Sequence, residues 1–306
     1  MKKVTIVEVG PRDGLQNEAK TLPLETRLEF IKRLSKAGLK RIEVGAFVSP
    51  QWVPQMSSSG ELIQLISKDA DLSQPKIFDA FSVLVPNMKG MEGALASGIR
   101  EVAVFGACSE SFSKKNINCT IDESFDRFKE VIVAAKKKKI KVRGYLSTAF
   151  GCPYEGHVEE KKVIELVKRM FKLGVYEVSV GDTIGVATPK QVESLLKKMK
   201  KVVPLKKIAM HFHDTRGTAL ANVVKSLELG VRTFDSSAGG IGGCPYAKGA
   251  SGNLATDDLV YLLRGLDYET GVDLQALLDT TNWIRGPIGH SLPSRLAQAG
   301  DWHPDC

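Results

Sequence analysis

A glycine that closes a helix just before a strand recurs four times along this chain, and no other feature constrains the fold as much. Ala37-Gly38-Leu39-Lys40-Arg41-Ile42-Glu43-Val44 is echoed by Ser97-Gly98-Ile99-Arg100-Glu101-Val102-Ala103-Val104. The unit returns at Leu173-Gly174-Val175-Tyr176-Glu177-Val178-Ser179-Val180 and at Leu229-Gly230-Val231-Arg232-Thr233-Phe234-Asp235-Ser236. Glycine takes the left-handed backbone of a helix C-cap at no steric cost, and the apolar residue after it begins a strand. On that basis eight strands are expected, near residues 4–9, 41–45, 77–83, 101–105, 141–147, 176–180, 207–212 and 232–236. Helical spacing falls between them, as in Leu28, Ile31 and Leu34 or Val163, Leu166, Val167 and Met170. Thr120-Ile121-Asp122-Glu123 has the form of a capping box opening another helix.

Eight alternating units predict an α/β fold, a (β/α)8 TIM barrel with additional C-terminal helices. The chain reads as a single domain, residues 1–306, with the barrel over about 1–264 and a helical extension over about 265–306. Two helices are expected in that extension, around 274–283 and 291–299, with Gly286-Pro287-Ile288-Gly289 breaking between them. The competing architecture is an open doubly wound sheet with a nucleotide-binding glycine turn after the first strand. Gly10-Pro11-Arg12-Asp13-Gly14 does not fit that turn, and no phosphate-binding loop motif occurs elsewhere.

The 306 residues are 43% hydrophobic, enough for one large core. The five cysteines, Cys108, Cys119, Cys152, Cys244 and Cys306, form no Cys-x-x-Cys pair. Neither a disulfide framework nor a structural zinc ribbon is expected, which points to a reducing, cytoplasmic setting. The apolar stretch after Lys3 is short and interrupted by Glu8, unlike a secretory signal, and no apolar run is long enough to span a bilayer. A net charge of +8 admits nucleic acid, anionic lipid or a polyanionic small molecule as partner. The Lys136-Lys137-Lys138-Lys139 run reads as a solvated helix C-terminus, since no aromatic residues are interleaved for base stacking.

Chemistry gathers at the predicted strand ends. His211 and His213 are two apart on one strand, so their side chains share a face and converge. A pair of core histidines is the competing reading of that spacing alone. In a barrel, however, the first strand delivers Arg12 and Asp13 to the same mouth and the second delivers Glu43. The fifth leads to Ser147 and Thr148, the sixth delivers Asp182, and the loop after the eighth carries Cys244 and Asn253. Asp13, His211 and His213 make a metal set to which Asn253 could add an amide oxygen. Imidazole and oxygen donors without thiolate suit Mg2+, Mn2+ or Fe2+ better than a closed zinc site. An iron oxygenase triad competes, but it leaves Arg12 and Cys244 without a role. Six glycines between Gly239 and Asn253 make that segment permissive, as in a lid that carries Cys244 inward, or simply a surface loop. A thiol there could donate a proton to a carbanion.

Several longer runs carry a family resemblance. Glu8-Val9-Gly10-Pro11-Arg12-Asp13-Gly14-Leu15-Gln16-Asn17-Glu18 resembles the first signature of the hydroxymethylglutaryl-CoA lyases. Phe47 to Met56, Lys114 to Cys119, Gly151 to Gly156, Gly181 to Gly185, the histidine pair with Asp214-Thr215, and the loop around Cys244 are similar to that family as well. The resemblance spans roughly residues 4–264. It implies a metal-dependent barrel lyase that cleaves 3-hydroxy-3-methylglutaryl-CoA to acetyl-CoA and acetoacetate, as in leucine degradation and ketone-body formation. It further implies Mg2+ or Mn2+ on Asp13, His211, His213 and Asn253, with Asp13 or His211 assisting loss of the hydroxyl proton. Arg12 would stabilise the enolate, Cys244 would protonate it, and Glu43 and Asp182 would support the site. Arg12, Gln16, Ser147 and Thr183 would contact substrate, and Lys114, Lys115 and Lys248 would meet the phosphates of coenzyme A. An acyl-CoA partner follows, with no nucleic acid, no membrane and a homodimer as the expected assembly. The rivals are a synthase of the citramalate or isopropylmalate type, an oxo-acid aldolase, a lyase for a related 3-hydroxyacyl-CoA, and a basic binding protein that has kept only the barrel. The synthases typically read Gly-Glu-Arg-Ala-Gly-Asn where this chain has its cysteine loop.

Overall fold

The computed structural model describes residues 2–242 and 252–302. Eight parallel strands close into a barrel in chain order. They are β1 (Thr5–Glu8), β2 (Arg41–Ala46), β3 (Phe81–Leu84) and β4 (Glu101–Ala107). β5 (Lys141–Ser147), β6 (Glu177–Asp182), β7 (Ile208–Phe212) and β8 (Thr233–Ser236) complete it. Closure is made by β1 against β8, from Thr5↔Thr233 to Glu8↔Ser236. All four repeated junction glycines take positive φ, at 93° for Gly38, 78° for Gly98, 110° for Gly174 and 108° for Gly230.

Strand parity decides which side chains face the barrel axis. On β5, Val142 and Leu146 pack outward into the helical layer, while Arg143 and Tyr145 turn inward. On β6, Val178 and Val180 alternate with inward Glu177 and Ser179. The interior is therefore polar as well as apolar, and its charges pair across the axis. The outer layer is ordinary aliphatic and aromatic packing, such as Phe30, Ile31 and Leu34 of α1 (Leu24–Lys36). In α2 (Ile121–Lys137) the same role falls to Val131, Ile132 and Ala135. The capping box at Thr120 opens α2 as its sequence predicts. Lys136 to Lys139 are exposed at its C-terminal end.

Two local expectations are corrected. The third strand does not begin at Ile77: Pro75–Phe78 forms a helical turn, and the strand starts at Phe81. Pro75 is suited to a first helical position, and Phe78 packs edge-on against Phe81 with ring centroids 6.4 Å apart, so apolar side chains that suit a strand serve a turn instead. The first helix of the extension runs past residue 283: α3 (Leu274–Ile288) continues through Pro287, and the break falls at Gly289, φ 91°. A proline in the last turn removes a single backbone hydrogen bond, and Lys20 Nζ donates to its carbonyl at 2.7 Å. A short helix, Arg295–Ala299, follows. Among the described residues no helix is long and apolar enough to cross a membrane.

Candidate active site

After β1 the chain makes one wide turn, Gly10–Gly14, in which Gly14 N–H donates to Val9 O at 3.1 Å. Wide turns of this kind are uncommon and are found often at functional sites. This one sets Arg12 and Asp13 side by side. Arg12 Nε donates to Glu43 Oε2 at 2.7 Å, Nη2 lies 2.6 Å from the same oxygen, and Nη1 meets Asp13 Oδ1 at 2.6 Å. Tyr145 Oη donates to Glu43 Oε2 at 3.3 Å. Glu43 is held on β2 just before a register shift against β3, an irregularity that re-aims neighbouring side chains. The guanidinium is thus clamped by two carboxylates, and its direction is set before any substrate arrives.

β7 brings His211 and His213 to the same place, with ring centroids 5.2 Å apart. The backbone of His213 pairs with that of Asn253. Asn253 Nδ2 donates to Asp13 Oδ2 at 3.1 Å and to Ile241 O at 3.1 Å. One ligand atom each from Asp13, His211 and His213 lies within 4.8 Å of the others. Two buried atoms beside them, Asn253 Oδ1 and His213 Nδ1, have no hydrogen-bond partner. Buried polar atoms are normally satisfied, so a carboxylate, two imidazoles and an orphaned amide oxygen together fit a divalent cation.

Electrostatics favour the same use. Burial, then the neighbouring charge of His211, lowers His213 to about 4, which keeps its ring neutral and its lone pair available. Burial pushes Asp13 upward, but Arg12 and the two imidazoles outweigh it and hold the carboxyl below its usual range. His211 goes the other way: burial lowers it, and the hydrogen bond and charge of Asp235 raise it above its ordinary value. Asp182 is buried behind the site and pushed up to about 6 by that burial. Its oxygens accept from Val186 and Ala187 N–H at 2.9 Å each, which folds the loop after β6.

A cavity of about 410 Å³ opens beside the cluster. Arg12, Asp13, Gln16, Ser147, Thr183, His211, His213 and Lys115 line it. Glu43, Asp182 and Asn253 stand behind that lining, and Lys114 is exposed away from it. Thr183 Oγ1 also accepts from Thr148 N–H at 2.8 Å. Lys115 Nζ sits 3.8 Å from the centroid of the Tyr154 ring. Cys244 and Lys248 lie outside the described residues.

A family model described as HMGL-like matches residues 3–284. The chain belongs to the HMGL-like family. It is 51% identical over 298 residues to human "Hydroxymethylglutaryl-CoA lyase, mitochondrial", covering 97% of this chain and 90% of that protein. The crystal structure of hydroxymethylglutaryl-CoA lyase from Pseudomonas aeruginosa superposes with a TM-score of 0.92 at 49% identity, over 97% of each chain. An HMG-CoA lyase from Acinetobacter baumannii, solved in complex with coenzyme A and 3-methylmalate, gives 0.91 at 36% identity over 99% of this chain and 97% of that one.

In this HMGL-like chain, sequence reasoning passed over four residues that the fold brings against the cluster: Arg143, Tyr145, Ser179 and Asp235. Each is a buried polar side chain within a strand of the parallel barrel. That was the available signal, because burying a polar group in a parallel sheet is costly without a partner.

Proposed function

We propose that this HMGL-like enzyme cleaves 3-hydroxy-3-methylglutaryl-CoA to acetyl-CoA and acetoacetate by a retro-Claisen reaction, with a bound Mg2+ or Mn2+. The observation that carries the reading is the Asp13, His211 and His213 cluster beside the clamped Arg12, in a chain half identical to a named lyase over nearly its whole length. Asp13, His211, His213 and Asn253 would hold the cation, which when bound supplies Lewis acidity toward the tertiary hydroxyl. The protein's own groups do the rest. The hydroxyl proton passes to Asp13, whose carboxylate keeps lone pairs beyond those that meet Arg12 and would meet the cation; His211, bonded through Nδ1 to Asp235 and offering Nε2 to the cation, would have none to spare. As the proton leaves, the bond between C2 and C3 breaks and its electron pair passes into the thioester, forming the enolate of acetyl-CoA. Arg12 faces that developing oxyanion already oriented by Glu43, so little reorganisation is needed. Cys244 delivers a proton to the enolate carbon, and the C3 fragment leaves as acetoacetate.

Gln16, Ser147 and Thr183 contact the acyl portion in this reading, and Asp182 keeps the Thr183 loop in place. Lys114, Lys115 and Lys248 are the candidates to meet the phosphates of coenzyme A, and of these Lys115 stands on the cavity wall. Cys108, Cys119 and Cys152 are buried free thiols, which suits a reducing compartment, the cytoplasm in our reading. The working assembly we propose is a homodimer.

The test is direct. Metal-stripped protein is incubated with 3-hydroxy-3-methylglutaryl-CoA, alone and with Mg2+ or Mn2+, and acetoacetate is measured. Product should form only with metal. No acetoacetate with either ion, together with condensation of acetyl-CoA and a 2-oxo acid, would replace the lyase with a synthase.

A further inference from the structure

We infer that Asp235 is a positioning residue of the metal centre, fixing the ring of His211 and engaging its Nδ1 so that Nε2 is the atom presented to the cation. The inference rests on the metal reading above and concerns a residue that touches neither substrate nor ion. Asp235 sits on β8 in register with His211 on β7. It is fully buried, with 1% of its surface exposed. Its Oδ2 lies 3.3 Å from His211 Nδ1 and accepts from Ser179 Oγ at 2.6 Å and Arg143 Nη1 at 3.3 Å. Its Oδ1 accepts from Arg143 Nη2 at 2.6 Å.

Both oxygens are engaged, so the carboxylate cannot turn away from the imidazole. Arg143 is itself anchored, donating from Nε to Glu177 Oε1 at 2.7 Å, and Glu177 pairs with Arg41 at 3.0 Å. Charges of alternating sign thus run up the barrel axis from Arg41 and end on His211. A carboxylate facing Nδ1 selects the tautomer with the proton there, which leaves the Nε2 lone pair free for a metal. His213 has no such partner: its Nδ1 is buried and unbonded. The two histidines are therefore unequal, one oriented by a polar relay and the other by its backbone pairing with Asn253.

A purely structural Asp235, present only to neutralise Arg143, makes different predictions, and two measurements separate the cases. The first uses the unaltered protein, metal-free at alkaline pH, with 15N-labelled histidine. Long-range 1H–15N correlation should show His211 as the Nδ1–H tautomer, and an Nε2–H tautomer overturns the proposal. The second is Asp235→Asn, which keeps the shape but can turn an amide N–H toward His211. Folded variant, judged by circular dichroism, should bind Mn2+ about 10–100-fold more weakly by titration calorimetry. A folded Asp235→Asn with unchanged Mn2+ affinity overturns the positioning role while leaving the metal centre intact. Failure of the parent protein to bind Mn2+ at all removes the metal centre and this role with it. Should Asp235→Asn not fold, the tautomer in the unaltered protein still decides.

Discussion

Glu8, the last residue of β1, is fully buried, yet its carboxyl serves three neighbours. Oε1 accepts from Gly10 N–H at 2.8 Å and Ala238 N–H at 3.0 Å, and Oε2 from Thr256 Oγ1 at 2.7 Å. One side chain therefore joins the Arg12–Asp13 turn to the root of the glycine-rich segment. Burial, only partly offset by those hydrogen bonds, raises its pKa from 4.5 to about 7. The folded state then keeps this proton after the unfolded chain has lost it, so stability attributable to Glu8 falls as pH rises from 4.5 to about 7 and stays low above. A glutamine at this position would keep the shape, accept the two N–H groups and donate to the Thr256 hydroxyl. Glu8→Gln should therefore melt higher than the parent at pH 8 and close to it at pH 5, the gap at pH 8 being on the order of 2 kcal/mol. Equal differences at both pH values, measured by thermal melts, would show that Glu8 is ionised throughout. At this scale His211, His213, Asp13 and Arg12 were legible in the sequence because each stands next to a strand end. Asp235 and Tyr145 were not, since strands buried on both faces show no period to reveal which residues point to the axis.

Among the elements, helix boundaries were the more legible, because capping is local chemistry. Thr120 Oγ1 accepts from Glu123 N–H at 3.1 Å, and Glu123 Oε2 accepts from Thr120 N–H at 2.7 Å. Thr120→Ala removes the first of these bonds from α2, whose Phe128 lines the cavity. It should cost about 1 kcal/mol in urea unfolding with an unchanged slope. A loss below a few tenths would mean that packing alone holds the N-terminus of α2. The third strand was misplaced for the opposite reason: Ile77 and Phe78 carry strand propensity, but the proline before them and the aromatic contact behind them prevail. Asn253 was assigned to a loop, and its pairing with His213 depends on contacts between elements that no local pattern encodes.

For the molecule as a whole, the extension packs against the outer layer of the barrel. α3 buries Leu277, Leu278 and Ile284 and packs against α1, with Arg33 stacked 4.6 Å from the centroid of the Trp283 ring. Asp273 N–H donates to Ala37 O at 2.8 Å, and Tyr268–Glu269 pairs in parallel with Lys2–Lys3. Ser294 N–H donates to Gly239 O at 3.1 Å, so the extension also braces the root of the glycine-rich segment. We propose a single cooperative domain. A chain ending at Gly265 should bind a hydrophobic dye and lack a cooperative thermal transition, because the apolar face of α1 is uncovered. A sharp melt in that shorter chain would mark the barrel as independent. The repeated junctions made this barrel readable from sequence, while the docking of its extension was not, because contacts between distant helices leave no local pattern.

The positions proposed to hold the cation, 13, 211, 213 and 253, are spread over most of the polypeptide. During synthesis the first of them waits some two hundred residues for the next, and the pocket does not exist until β8 has zipped against β1. On the proposed ligand set, metal capture is a late event in this chain's biogenesis, since a ribosome-bound product halted before β7 would carry Asp13 alone of the four.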